Sequence, residues 1–326
     1  MQSRRRTLTL AMAGLLAAPA TVWAQGYPTK PVRMVVAFAA GGPTDVLARI
    51  MAAGMSTALG QQVIVDNRPG GGGMLGTREA TKAAPDGYTV LFAGDAALTV
   101  QPLMSKSAGY DAKKDFTPLR LLASQSNVLM ASRAKDIADV AGLVSRAKAK
   151  PGAVSFGSAG NGSPSHLIGA LFESQAGIDL LHVPYKGAAP AMTDLIGGQT
   201  DVMFVGMPVA LQNATRKELV PLAVTGDKRH PGLPNVPTFA EAGIKGLGSE
   251  TAIWWSLMAP AGLAPEVRQR LDAATQAALS DPEVKKGFAV QGVDVLNLDA
   301  VTMAKWIERD QAKWGALIKA GKISTE

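Results

Sequence analysis

The chain has 326 residues, of which 47% are hydrophobic and 18% charged, and its 33 basic and 26 acidic residues give a formal net charge of +7. This composition predicts a folded protein of about two domains and excludes intrinsic disorder as its main state. The chain has no cysteine and three histidines. These counts exclude disulfides, cysteine nucleophiles and cysteine-ligated metals, and we expect neither a metal nor a cofactor.

The first 24 residues have the three parts of a secretory signal peptide. Arg4–Arg6 are positive, Leu8–Ala18 is an apolar run too short to span a bilayer, and Val22–Ala24 carries small residues where a signal peptidase cleaves. Cleavage after Ala24 predicts an exported, soluble, periplasmic protein, with the Sec and twin-arginine pathways both open. Loss of three arginines lowers the net charge to +4 and leaves no basic block for nucleic acid.

Short apolar strands then alternate with helical segments. Strands are predicted at 32–38, 63–65, 88–93, 121–131, 154–157, 180–183, 202–205, 219–224 and 253–259. Helices are predicted at 43–59, 77–84, 137–147, 164–176, 189–196, 265–279, 282–289 and 299–320. This alternation is typical of parallel sheets covered by helices on both faces, so the predicted fold class is α/β.

Two predicted strands are candidates for crossovers between domains. The strand at 121–131 is unusually long, and the strand at 253–259 is the last in the chain. The residues between them have strand–helix units of their own. The simplest arrangement is two α/β domains joined by crossover strands, with residues 25–124 plus 252–326 in lobe 1 and residues 125–251 in lobe 2.

Two turns rich in small residues each follow a predicted strand and open a predicted helix. Phe38–Asp45 has Pro43 in the first helical turn, and Gly157–His166 has Ser163 as its N-cap. Free amides and the helix dipole at such a start favour an anion. Because ligands of open α/β sheets bind at strand carboxyl ends, the two turns are predicted to clamp one ligand; ordinary tight turns are the alternative.

Two further motifs suggest other chemistry. The glycines at 71–76 match a dinucleotide fingerprint with Asp95 about 20 residues on, but residues 66–69 separate them from the preceding strand, which favours a tight loop. Ser163 and His166 lie three residues apart on one predicted helix face. No nucleophile-elbow motif surrounds Ser163 and no orienting acid is evident, which disfavours a hydrolase.

A set of short motifs, ordered along nearly the whole mature chain, carries a family resemblance. The motifs are Tyr27–Arg33, Gly41–Asp45, Asp66–Gly70, Ala84–Tyr88, Gly160–Pro164, His166, His182–Gly187, Leu233–Thr238 and Ala259–Gly262. The chain resembles the Bug family, the extracytoplasmic solute-binding receptors of tripartite tricarboxylate transporters. The resemblance implies a two-lobed periplasmic binding protein fold that closes on a small carboxylate and delivers it to membrane transporter subunits, without enzymatic activity.

The resemblance also implies a site, because in this family the two turns hold a ligand carboxylate through backbone amides and ordered water. The implied residues are Phe38, Ala39, Gly41, Gly42, Pro43, Thr44, Asp45, Ser158, Asn161, Gly162, Ser163, His166, Tyr185, Gly187 and Ala188. To these we add Met207, which follows a predicted strand of lobe 2, and Asp95. The chain departs from the family's usual residues at Ala37, Met74 and Asp95, so the identity of the ligand stays open.

The class of carboxylate that the site binds can be predicted from the apolar segment at 205–207, from Met74 and from Asp95. If Asp95 faces the pocket, it repels a second carboxylate. We therefore expect a monocarboxylate, or a dicarboxylate with an apolar or aromatic body, rather than a tricarboxylate. The expected protein is a monomer that binds no nucleic acid. Alternatives are a sensor that presents its ligand to a signalling receptor and a periplasmic hydrolase using Ser163 and His166.

Overall fold

The structure, a computed structural model, describes residues 26–105, 108–321 and 323, so the predicted signal peptide lies outside it. These residues form two β-sheets with helices against them. The strands are β1 (Val32–Val36), β2 (Val63–Asn67), β3 (Thr89–Gly94), β4 (Phe116–Gln125), β5 (Asn127–Ser132), β6 (Ser155–Ser158), β7 (Leu181–Pro184), β8 (Val202–Gly206), β9 (Leu219–Val224), β10 (Ile253–Pro260) and β11 (Asp294–Asp299).

The helices lie on both faces of the sheets. They are α1 (Pro43–Leu59), α2 (Met74–Thr81), α3 (Asp95–Thr99), α4 (Gln101–Met104), α5 (Val140–Ala149), α6 (Pro164–Ala176), α7 (Ala188–Ile196), α8 (Met207–Asn213), α9 (Pro265–Ser280), α10 (Pro282–Val290) and α11 (Ala300–Lys319). Within the described part of the chain, no helix is both long and apolar enough to cross a membrane.

Both sheets are mixed, so the expectation of parallel sheets is wrong in part. The first sheet has six strands in the order β11-β4-β10-β3-β1-β2, and the second has five in the order β7-β6-β8-β5-β9. Strands β1, β2 and β3 are parallel, as are β6, β7 and β8, whereas β10 and β5 run antiparallel to their neighbours. The reason is that β5 and β10 each enter a sheet from the side where the parallel strands end.

The chain passes between the sheets at the two predicted crossovers. The stretch predicted as one strand at 121–131 is divided at Ser126, with β4 in the first sheet and β5 in the second. The chain returns to the first sheet through β10. Sequence patterns missed β11 and the short helices α3, α4 and α8, while α2 begins at Met74 rather than at residue 77.

Four hydrophobic clusters fill the two faces of each sheet. Helix α11 contributes to clusters of both sheets. Met303 and Ile307, in its first half, pack with the first sheet, while Trp314 and Leu317, near its end, pack with residues of the second. The last helix is therefore a third connection between the two lobes, beside the two strand crossovers.

Candidate functional site

A cavity of about 470 Å³ lies where the carboxyl ends of the parallel strands of the two sheets face each other; we call it the first cavity. Residues of both turns and both crossovers line it. They are Phe38, Pro43, Thr44, Gly72, Gly94, Asp95, Ala96, Gln101, Gln125, Asn161, Gly162, Ser163, Pro164, Ile253 and Trp255. The starts of α1 and α6, which belong to different sheets, thus meet at one space.

A second cavity of about 300 Å³ adjoins the first and shares five wall residues with it. The shared residues are Pro43, Gln125, Pro164, Ile253 and Trp255. The rest of its wall is largely apolar and comes from the end of β8 and the start of α8, with Leu47 and Val293 from the first-sheet side. The two cavities together offer helix amides on one side and an apolar compartment on the other.

The turn before α1 is held by a buried carboxylate. Gly42 is the N-cap and offers no side-chain cap. The Asp45 carboxylate accepts hydrogen bonds from the Gly41 amide at 2.8 Å, from Arg49 Nε at 2.9 Å and from Asn67 Nδ2 at 2.9 Å. Burial opposes ionisation of Asp45, but these donors hold its pKa below the usual value. Asp45 therefore braces the turn from beneath, and it lines neither cavity.

The turn before α6 is held by neutral groups. Ser163 caps the helix, accepting from the His166 amide, and its hydroxyl donates to the Gly160 carbonyl at 2.6 Å. The Gly162 amide donates to His166 Nδ1 at 3.0 Å. A ring nitrogen that accepts a hydrogen bond is unprotonated, so this geometry requires the neutral imidazole of His166.

A stack of rings supports the same turn from the side of the second sheet. The His166 and His182 rings are stacked at 4.1 Å between centroids, and Phe156 stacks on His182 at 4.7 Å. Ser158 Oγ is hydrogen-bonded to His182 Nε2 at 2.6 Å. Burial, and secondarily the neighbouring His182, lower the pKa of His166 to about 4, and burial lowers that of His182. Both imidazoles are therefore neutral at pH 7.

Trp255 links the crossover strand β10 to the turn at α1. Its side chain lines both cavities, and its Nε1 donates to Thr44 Oγ1 at 3.2 Å. Sequence reasoning missed Trp255, together with Ile253 and Gln125. A signal was present, because Ile253 and Trp255 are alternate residues at the start of a strand already assigned as a crossover. The glycine loop, interpreted only as a tight turn, also brings Gly72 to the first cavity.

The predicted site residues fall into two groups. Phe38, Pro43, Thr44, Asp95, Asn161, Gly162 and Ser163 line the first cavity, and Ala188 lines the second. Ala39, Gly41, Gly42, Asp45, Ser158, His166, Tyr185, Gly187 and Met207 line neither cavity.

Members of the second group have other surroundings. Ala39 and Gly41 are exposed, whereas Ser158 and Met207 are fully buried, Met207 because it packs into the core below β8. The Tyr185 hydroxyl donates to Asp194 at 2.6 Å.

The geometry also bears on the hydrolase alternative. The Ser163 hydroxyl donates to a carbonyl, and the Nδ1 of His166 is occupied by a backbone amide. The two side chains are therefore not hydrogen-bonded as nucleophile and general base. Within the residues that the structure describes, no group of three or more His, Asp or Glu side chains is arranged to hold a metal ion.

Residues 47–323 match the model of the family described as "Tripartite tricarboxylate transporter family receptor". The chain belongs to this family. This receptor is 33% identical to protein BugT of Bordetella pertussis over 311 residues, which cover 95% of the chain and 94% of BugT. It is 36% identical over 317 residues, 97% of the chain, to a Pseudomonas protein from the tcbD-tcbE intergenic region, of which 94% is covered. The resemblance to the Bug family is confirmed.

Solved structures confirm the two-lobed periplasmic binding protein fold of the receptor. The periplasmic binding protein BugD is 35% identical, with a TM-score of 0.75 over 91% of this chain and 99% of BugD. An R. palustris protein with adipate is 32% identical, with a TM-score of 0.77 over 91% of this chain and 99% of that one. MatC of Rhodopseudomonas palustris, with bound malate, is 29% identical, with a TM-score of 0.75 over 90% of this chain and all of MatC.

Proposed function

We propose that this receptor captures a small organic carboxylate between its two lobes in the periplasm and delivers it to membrane transporter subunits. The observation that carries the proposal is the first cavity, at which the starts of two long helices from different sheets meet. The amides of such starts and the helix dipole favour an anion. Adipate and malate are bound by two relatives of the same fold, which supports the carboxylate class.

We propose that uncharged donors hold the carboxylate. No Lys or Arg is among the described residues that line the two cavities, so the donors that remain are uncharged: backbone amides, the Thr44 hydroxyl and the side-chain amides of Gln101 and Gln125. A tricarboxylate would have too few cationic partners in such a site. The apolar wall of the second cavity fits an apolar or aromatic body, which favours a monocarboxylate, or a dicarboxylate with such a body.

The remaining parts of the proposal concern organisation and export. Residues 25–124 plus 252–326 form lobe 1 and residues 125–251 form lobe 2, with a cleaved signal peptide at 1–24 and a monomeric mature protein. The division of the two sheets between β4 and β5 supports the first boundary. The end of α11 packs with residues of the second sheet, so lobe 1 reaches across the boundary there.

A ligand screen tests the binding function. Mono-, di- and tricarboxylates, including aromatic acids, are ranked by thermal shift and then measured by calorimetry, since a ligand that binds the native state raises Tm by mass action. We expect monocarboxylates or dicarboxylates with apolar bodies to bind and citrate not to bind. Tight citrate binding without any response to apolar acids would overturn the pocket assignment and leave the receptor role in place.

A scattering experiment tests the clamp itself. The radius of gyration of the mature protein is measured with and without a saturating ligand from the screen. Because the cavity wall is shared between the two sheets, we expect a smaller radius in the bound state. An unchanged radius would contradict closure without contradicting binding. Pull-down of the transporter subunits by the loaded receptor separates delivery to a transporter from presentation to a signalling receptor.

A further inference from the structure

A third cavity, of about 450 Å³, lies behind the two crossovers; we call it the rear cavity. Gln125 and Ile253 line the first and second cavities, whereas their chain neighbours Ser124, Ser126 and Ala252 line this one. Successive residues of an extended chain point to opposite sides. The two crossovers therefore separate the rear cavity from the cavities in which we place the ligand.

The rear cavity has one wall in each of the proposed lobes. Residues 226–231, which follow β9, belong to lobe 2, whereas Asp294 and Leu296 of β11 and Trp306 of α11 belong to lobe 1. A rotation about the crossovers moves groups in front of them and groups behind them in opposite directions. When the lobes separate at the ligand cavities, the two walls of the rear cavity must therefore approach each other.

The lobes are in contact in front of the crossovers in this structure. A Cβ built on Gly292 would lie 3.0 Å from Pro208 Cγ, and one built on Gly162 would lie 3.9 Å from Met104 Cε. Both contacts join the two lobes beside the ligand cavities, because Pro208 lines the second cavity and Gly162 the first. The structure therefore has the lobes together and the rear cavity wide.

Two opposite charges line the rear cavity from different lobes. Lys228 and Asp294 are both exposed, and neither has an ion-pair partner among the residues that the structure describes. Asp294 is paired with Ser124 in the register of β11 and β4. A Cβ on Gly226, two residues before Lys228, would lie 3.5 Å from Ser126 Oγ. Both charges are therefore close to the first crossover.

The other ionisable groups of this wall are engaged within lobe 2. Asp227 accepts a hydrogen bond from the Ser249 hydroxyl at 2.5 Å, and Arg229 pairs with Glu241 at 2.8 Å. His230 accepts a hydrogen bond from a backbone amide through Nδ1, which leaves its imidazole neutral in this geometry. Lys228 and Asp294 are thus the two charges of the wall that can pair between the lobes.

We propose that Lys228 and Asp294 form an ion pair across the rear cavity when the receptor opens, an inference that rests on the proposed closure of the lobes. The pair is present in the open state and absent from the closed one, so it stabilises the unliganded receptor. A ligand that closes the lobes must separate the pair, which weakens its apparent affinity. The rear cavity thus sets the affinity of the cleft without touching the ligand.

Removal of either charge tests the ion pair. The probe is adipate, or the tightest carboxylate of the thermal-shift screen if adipate does not bind, and its Kd is measured by calorimetry at low ionic strength. We expect Lys228→Gln and Asp294→Asn each to bind the probe about twofold to fivefold more tightly, which is the range for an exposed ion pair. The double variant should bind no more tightly than either single variant.

Two comparisons exclude simpler causes of these shifts. A general charge effect on an anionic probe would weaken binding by Lys228→Gln and strengthen binding by Asp294→Asn, whereas the ion pair predicts tighter binding by both. Lys113→Gln is the matched control, because it breaks an exposed ion pair with Glu308 that lies inside lobe 1. It should leave the Kd unchanged.

Exchange of the two charges gives a readout that the loss of one side chain would not reproduce. Lys228→Glu places two acids at the rear cavity and should tighten binding more than Lys228→Gln does. Lys228→Glu combined with Asp294→Lys restores the pair with its polarity exchanged and should return the Kd to the wild-type value. Added salt should tighten binding by the wild type relative to the doubly neutral variant, because salt screens an exposed pair.

The outcomes separate this proposal from the proposed function. Unchanged or opposite shifts for the two neutral variants, additive effects in the double variant, or no return of the Kd on charge exchange would overturn the ion pair and leave the receptor in place. Failure of every carboxylate to bind, or binding without compaction, would remove the closure on which the ion pair rests.

Discussion

The turns that open α1 and α6 lie at one cavity, but opposite chemistry holds them. Gly42 gives α1 no side-chain cap, and the ionised Asp45 ties the turn from beneath. Ser163 caps α6, and a neutral imidazole ties that turn. A small-residue turn can leave its amides free for a ligand only if other groups fix its backbone. The group that fixes each turn therefore decides how that turn responds to acid.

The largest expected effect on stability is at the turn before α1, which the ionised Asp45 holds. Asp45→Ala removes the acceptor of three hydrogen bonds from a residue that is 2% exposed, so we expect a loss of about 3 kcal/mol in the free energy of unfolding. Urea denaturation at pH 7 measures it. Arg49→Gln is the control, because Arg49 is about half exposed and its removal should cost less than about 1 kcal/mol. Equal costs would show that Asp45 does not brace the turn.

The turn before α6, which the neutral imidazole of His166 holds, should lose stability in acid. The pKa of His166 is about 4 in the folded protein, against about 6.5 when unfolded, so the unfolded chain binds more protons between these values. His166 should therefore lower the stability by up to about 3 kcal/mol as pH drops from about 6.5 to 4, and His182, whose pKa burial also lowers, should add to the fall. The measurement is the free energy of unfolding in urea at intervals across this range. His166→Gln should reduce the fall, and the part that remains includes the contribution of His182.

Asp95 has the opposite effect on stability over this pH range, so its contribution must be removed before the effect of His166 is measured. Burial, and then the charge of Asp310, raise the pKa of Asp95 to about 7, above the unfolded value, so it adds stability as pH falls from about 7 towards 4. The histidine experiment is therefore best made in Asp95→Asn protein, in which the fall should be steeper. A pH profile that stays unchanged by His166→Gln in this background would show that the imidazole is not the neutral brace.

Ser163, the N-cap of α6, should affect both the stability of the protein and its affinity for the ligand. Ser163→Ala should cost about 1 kcal/mol of stability and weaken the ligand severalfold, because the hydroxyl serves the helix and lines the first cavity. Asp139→Ala is the matched control, since Asp139 caps α5 and lines neither cavity. It should lose similar stability without loss of affinity. Normal binding by Ser163→Ala, with an essential Lys or Arg elsewhere, would contradict the site.

The smallest effect on stability is expected at the contact between β10 and the turn before α1. Trp255→Phe removes the 3.2 Å hydrogen bond to Thr44 but retains most of the ring, so the hydrogen bond should account for about 0.5 to 1 kcal/mol of the loss. A double-mutant cycle with Thr44→Val isolates this hydrogen bond from the lost ring volume. A coupling energy of zero would mean that Trp255 acts through packing alone.

Local chemistry made much of the fold predictable. The bounds of α1 and α6 follow from a proline at the first position and apolar residues at helical spacing, and β9 follows from a short apolar run. Helices α3 and α8 were missed because each begins directly after a strand, without a loop to mark the change. Their length of one or two turns also gives no readable period.

The site was predictable only where chain-local features create it. Helix starts are visible in the sequence, so Pro43, Thr44 and Ser163 were predicted at the cavity. Trp255 and Gln125 reach it because the two crossovers bring β4 and β10 together, and such pairing is a property of the assembled sheet. Asp45 and His166 were assigned to the ligand because sequence position alone does not distinguish a residue above the turn from one beneath it.

Helix α11 has a mechanical consequence for any motion of the lobes. Its 20 residues form a rod about 30 Å long, with Ile307 fixed in the first sheet's cluster and Trp314 in a cluster of the second. A stiff rod anchored at both ends does not stretch. When the lobes open, they must therefore either rotate about an axis close to α11 or pull the last helical turn of α11 out of the hydrophobic cluster of the second sheet. Helix α11 therefore limits how far, and in which direction, the two lobes can move apart.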